Sequence, residues 1–151
     1  MSVFEIKKAL PQDATWIAQA QVLMANETEN LQLNPEEVVT GVSFIFDHPD
    51  RGFYIVANSE ENDPVGCLMI LKEWSDWRNG EVWWIHSVYV APDYRKHGIF
   101  RMMFKYAEEL ARKSHVRGLR LYVDKSNVNA QRVYKKLGMN KDHYELFEKM
   151  Y

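Results

Sequence analysis

Val88-Tyr89-Val90-Ala91-Pro92-Asp93-Tyr94-Arg95-Lys96-His97-Gly98-Ile99-Phe100-Arg101-Met102-Met103-Phe104 changes character twice within seventeen residues. It begins as a β-branched, aromatic run, breaks at a proline and resumes as a helix. Apolar side chains at Ile99, Met102, Met103, Tyr106, Leu110 and Ala111 recur with helical spacing. A helix start leaves N–H groups without intrahelical partners, and its dipole favours negative charge there. Gly98 permits close approach to the backbone, and Arg95, Lys96, His97 and Arg101 surround it. The segment therefore predicts a strand, a tight turn and a helix whose first turn can cradle a pyrophosphate. It contains neither a P-loop nor a dinucleotide fingerprint, which need Gly-Lys-Ser/Thr or G-x-G-x-x-G.

Working outward, Glu81–Val90 reads as a central strand, rich in aromatic and β-branched residues. Before it, Glu73–Gly80 reads as a loop closing on an Asn-Gly turn, and Gly52–Ala57 with Val65–Leu71 as a hairpin joined by 58–64. Val3–Ala9 alternates as a first strand. Pro11-Gln12-Asp13 opens a helix over Ala14 to about Glu27. Asn34-Pro35-Glu36-Glu37 opens a second, combining a capping side chain, Pro at the first helical position and two acids at the positive end of the dipole. Towards the C-terminus a strand is predicted over Gly118–Val123, a helix over Asn127–Leu137 stopped by Gly138, and a last strand over Tyr144–Met150. The order β-α-α-β-β-β-α-β-α-β implies an α/β protein with a mixed sheet: antiparallel pairing first, one parallel crossover near the end, helices on both faces. A chain of 151 residues fits one domain spanning 1–151.

Composition removes several classes of function. A net charge of −2 offers no general attraction for nucleic acid. No apolar run approaches the roughly 20 residues that cross a bilayer, and no secretory leader is recognisable, so a cytoplasmic location is expected. Cys67 is the single cysteine. It can form no internal disulfide or zinc cluster, no metal is expected, and its apolar strand suggests a buried small hydrophobe.

Two motifs resemble those of the GNAT superfamily of N-acetyltransferases. Arg95-Lys96-His97-Gly98-Ile99-Phe100, after Val90-Ala91-Pro92, is similar to the family's Arg/Gln-x-x-Gly-x-Gly/Ala loop, with Phe100 standing where Gly or Ala is usual. Phe keeps its backbone donor. Asn127, Ala130, Tyr134 and Gly138 match Asn-x-x-Ala-x-x-x-Tyr-x-x-x-Gly throughout. The resemblance implies acetyl-CoA as cosubstrate. Its pantetheine arm would lie along the backbone of Val88, Tyr89 and Val90, with the pyrophosphate held by the loop Arg95–Gly98 and by Ile99, Phe100 and Arg101. Asn127 would lie beside the cofactor or cap its helix, and Tyr134 would protonate the departing thiolate. The acceptor would be a small-molecule or peptide amine. An alkyl amine has a pKa of about 10.4 and needs a base to become nucleophilic. His86 and Glu81 on the central strand are the candidates, His86 titrating nearer neutrality. A noncatalytic acyl-CoA-binding module is the competing function, and an edge strand leaves room for a homodimer.

Overall fold

The computed structural model describes residues 3–151, which form two compact units, one ending at Arg120 and the other running from Leu121 to Tyr151. In the first, five strands form one sheet in sequence order: β1 (Glu5–Lys8), β2 (Gly52–Asn58), β3 (Pro64–Ser75), β4 (Gly80–Val90) and β5 (Leu119–Arg120). The first four pair antiparallel. β5 joins β4 in parallel, after the crossover helix α3 (Ile99–Lys113). α1 (Ala14–Glu29) and α2 (Pro35–Asp47) precede β2. The mixed sheet and its single parallel crossover match the sequence reading.

Alternation along the strands divides the core between two faces. Tyr54, Val56, Cys67 and Tyr89 pack with Ile17, Ala18 and Ala20 of α1 and Val42 and Ile45 of α2. The opposite parity carries Ile55, Leu68 and Ile70, all fully buried. That face receives α3, because a Cβ on Gly66 of β3 would stand 3.1 Å from the Ile99 side chain. The buried seam of α3 is Ile99, Met103, Phe104, Ala107 and Ala111. It is rotated slightly from the predicted stripe, leaving Met102, Tyr106 and Leu110 half-covered at its margin.

Local signals act where the sequence placed them. Asn34 Oδ1 accepts from the N–H groups of Glu36 and Glu37 at 3.0 and 3.4 Å, capping α2. β3 reaches Ser75, so the loop predicted from Glu73 shrinks to a four-residue turn with Asn79 in left-handed conformation. In the second unit α4 (Val128–Lys136) ends in paired bonds, Gly138 N–H to Lys135 O and Met139 N–H to Tyr134 O, the Schellman pattern.

Two strand predictions need correction. The one over Gly118–Val123 reduces to Leu119–Arg120, and the one over Tyr144–Met150 is not formed. A strand exists only through a partner's ladder. The apolar residues Tyr144, Leu146, Phe147 and Met150 do not keep a period of two, and all are exposed. Among the described residues no helix is long and apolar enough to cross a membrane.

Two glycines give opposite expectations. A Cβ on Gly52 would lie 2.1 Å from the Ile70 carbonyl oxygen, so Gly52→Ala must push β2 and β3 apart. A loss of about 3 kcal/mol or more is expected in urea unfolding. Gly41, exposed within α2, meets nothing within 4 Å, and Gly41→Ala should raise stability by about 0.5–1 kcal/mol.

Candidate active site

β4 is flanked on both sides only in its first half. Its parallel ladder with β5 consists of Trp83↔Leu119 and Trp84↔Arg120, whereas β4 itself continues to Val90. From Ile85 onward its outer edge has no strand beside it among the described residues. Ala91 N–H donates to Val65 O at 2.8 Å, so alternation directs Tyr89 towards β3 and Val88 and Val90 towards the outer edge. An extended ligand can add there as a strand would.

A bulge marks the same place. Cys67 opposes Tyr89 and Met69 opposes His86, so Ser87 and Val88 together face the single residue Leu68. Ser87 takes a left-handed φ of 57°. Its carbonyl oxygen accepts a 3.0 Å hydrogen bond from Gln21 Nε2 of α1, which turns it out of the ladder towards the helix face.

The loop after β4 makes one 3-10 turn, Pro92–Tyr94, and then enters left-handed conformations at Lys96 (φ 66°) and Gly98 (φ 77°). A Cβ on Gly98 would meet nothing within 4 Å, so the space beside its backbone is open. The first i→i−4 bond of α3 runs from Met102 N–H to Gly98 O, and the helix ladder makes no use of the amides of Ile99, Phe100 and Arg101. The ring of Phe100 lies along its own helix, 6.1 Å from that of Phe104. These features fit a diphosphate at the start of α3 and an extended thioester arm on β4.

Arg95 is engaged with both α1 and β4. Its guanidinium forms a bidentate ion pair with Glu27 at the end of α1, its Nε donates to Val90 O at 2.8 Å, and it lies 5.8 Å over the Tyr89 ring. The pair holds the Glu27 carboxyl below its ordinary pKa and Arg95 above its own. Arg95 thus braces the loop, while the nearby cations Lys96 and Arg101 are exposed. His97 Nδ1 sits 2.9 Å from Arg95 O, which places its hydrogen on that nitrogen.

The two candidate bases are separated. Glu81 and His86 lie five residues apart in regular register, on opposite faces and about 17 Å apart along the strand. Glu81 Oε1 accepts from the Trp83 indole at 3.1 Å near the beginning of β4. His86 adjoins the bulge, stacked on Trp84 at 5.9 Å and 6°. Half-burial lowers its pKa below the usual histidine value, favouring the neutral, proton-accepting ring.

In the second unit, Asn127 caps α4 through Oδ1, which accepts from Ala130 N–H at 3.1 Å. Tyr134 is partly buried, and desolvation raises its pKa, so the phenol holds its proton at neutral pH. Cys67 is fully buried with its thiol pushed up to about 12, which excludes it as a ready nucleophile. The sequence reading missed Gln21. Its signal was a lone polar residue within the stripe Ile17, Ala18, Ala20, Gln21 and Ala25.

Residues 16–139 match the acetyltransferase (GNAT) family. No curated protein matches the chain. Among solved structures, a possible acetyltransferase from Clostridium difficile 630 is 36% identical, with a TM-score of 0.90 over 98% of this chain and 97% of that one. Ribosomal-protein-alanine N-acetyltransferase from Brucella melitensis biovar Abortus 2308 (13% identity, TM-score 0.80, coverage 98% and 99%) shares the fold. So does glucosamine-6-phosphate N-acetyltransferase from Arabidopsis thaliana (15%, 0.75, coverage 98% and 99%). The chain that presents this open strand edge and glycine-led helix start belongs to the GNAT acetyltransferase family.

Proposed function

We propose that the protein transfers the acetyl group of acetyl-CoA to a primary amine of a small molecule or peptide, by direct attack while both substrates are bound. The observation that carries this reading is the outer edge of β4, which no strand pairs from Ile85 onward among the described residues and which leads through one loop to the start of α3. Acetyl-CoA, when bound, supplies a thioester carbonyl activated for attack by nitrogen. Val88 offers backbone groups to the pantetheine arm, and the amides of the first turn of α3 receive the diphosphate. His86 takes a proton from the acceptor ammonium, directly or through a water, so that the nitrogen lone pair can form the new C–N bond. Tyr134 gives its phenolic proton to the sulfur as the C–S bond breaks; this role rests on the motif from Asn127 to Gly138 and on the partly buried phenol's hold on its proton.

A panel of amines (polyamines, amino sugars, aminoglycosides, amino acids and peptide N-termini) assayed for release of free CoA thiol tests the transfer. No release above hydrolysis with any acceptor, from a protein that binds acetyl-CoA, would favour a noncatalytic module.

Acetyl-CoA at a hundredfold excess over its dissociation constant should stabilise the fold by about 2.7 kcal/mol. Gly98→Asp should remove that gain by placing a carboxylate where phosphate must sit. Gly98→Ala is the control, since it imposes the same strain at φ 77° without the charge. Equal melting shifts with acetyl-CoA for wild type and Gly98→Asp would refute the cradle.

Because burial lowers the His86 pKa, the active neutral form should persist to acid pH. The acid limb of kcat/KM should have its midpoint below about 6.5, with activity rising as pH increases through it. His86→Gln should abolish that limb and lower the rate by about 10²–10⁴-fold. An unchanged profile would remove His86 as the base.

Tyr134→Phe keeps the ring and deletes the proton. The expected result is a fall in kcat of at least about tenfold, equivalent to about 1.4 kcal/mol, with melting temperature and acetyl-CoA affinity little changed. Wild-type turnover in this variant would reduce Tyr134 to a packing residue.

A further inference from the structure

A polar side chain that is 8% exposed must find partners or forfeit the free energy of its lost hydration, and Gln21 finds them at one place. Its Nε2 donates to Ser87 O of β4 at 3.0 Å and lies 3.7 Å from Cys67 Sγ of β3. These strand residues flank the position where the β3–β4 register slips, between Cys67 and Met69. Ser87 is also the residue whose φ of 57° makes the bulge, an unfavourable conformation for a side chain with a Cβ. In regular register the Ser87 carbonyl would point, like those of Trp83 and Ile85, along the outer edge of β4. Here a helix side chain from the face of the sheet receives it, and the local sequence Ile85-His86-Ser87-Val88 contains no glycine that would favour such a backbone by itself.

We infer that Gln21 is a positioning residue for acyl-CoA: its amide pins the Ser87 carbonyl, thereby holding the bulge that aims the Val88 backbone along the open edge of β4. The inference rests on the proposed acetyl-CoA site. Gln21 touches no substrate in this scheme and acts through the strand. Its removal changes the donor side of the reaction, because the strand edge must reorganise before the pantetheine arm can pair with it. Affinity then falls by the fraction of molecules that keep the competent bulge.

Two substitutions test the role by titration calorimetry with acetyl-CoA. Gln21→Met preserves length and apolar bulk but cannot donate; it should weaken binding at least about tenfold at every pH, with KM for acetyl-CoA rising and KM for the acceptor unchanged. Gln21→Glu restores a donor only while its buried carboxyl is protonated. It should bind close to wild type at about pH 5 and lose affinity relative to wild type by about pH 8, as the ionised carboxylate faces the Ser87 carbonyl. A purely structural role has no reason to produce this pH-dependent rescue. Should Gln21→Met fold poorly, the pH profile of Gln21→Glu decides alone. Wild-type affinity in both variants, or a Gln21→Glu affinity that tracks wild type across pH, would overturn the role of Gln21 while leaving the acetyl-CoA site standing. Absence of binding by the wild-type protein would instead overturn that site and this role together.

Discussion

A strand inside a sheet must satisfy hydrogen-bonding groups along both edges, and among the described residues β4 has β-strand neighbours on both sides only as far as Trp84. β5 is two residues long, so the second half of β4 is an inner strand on the β3 side and an edge on the other. A strand edge without a pairing partner is ordinarily a liability. Here it is short, leads into a proline-containing turn and ends at a helix N-terminus, which suits one extended ligand with an anionic end. The bulge adds what a plain edge lacks, a local change of direction that separates Val88 from the regular ladder.

Charge around the site is arranged with comparable economy. Arg95 is committed to Glu27, Val90 O and the Tyr89 ring, so it neutralises a carboxylate and ties the loop to α1 and β4. Both partners are well exposed, so solvent screens the pair and its contribution to stability is small. Its effect is geometric, fixing the end of β4 relative to α1. The same helix contributes Gln21 six residues earlier, and α1 therefore grips β4 at the bulge and again at its end.

Local chemistry was legible in the sequence where it is decided locally. Asn34-Pro35 announced α2, Val90-Ala91-Pro92 announced the end of β4, and the single parallel crossover followed from element order. Features decided by distant partners were not legible. Glu27 and Arg95 are 68 positions apart, and nothing near Ser87 signals a left-handed residue until Gln21 is packed above it. Tyr144–Met150 failed for the same reason, since composition suggests a strand but only a partner makes one. The candidate residues in the loop came from their motif, whereas the division of Glu81 and His86 between two faces needed the register of β4.

Burial acts on the proposed acid and base with opposite shifts and one chemical result. Desolvation penalises the charged form of any group. For His86 the charged form is the protonated ring, so its pKa falls; for Tyr134 it is the phenolate, so its pKa rises. At neutral pH these shifts favour an imidazole with one unprotonated nitrogen and a phenol that keeps its proton, the starting states needed to accept from an ammonium and to donate to a thiolate. The same penalty disarms Cys67, whose thiolate is suppressed in the core. Partial exclusion of water thus leaves the proposed base and the proposed acid in the protonation states that the proposed transfer needs, while the buried thiol keeps its proton.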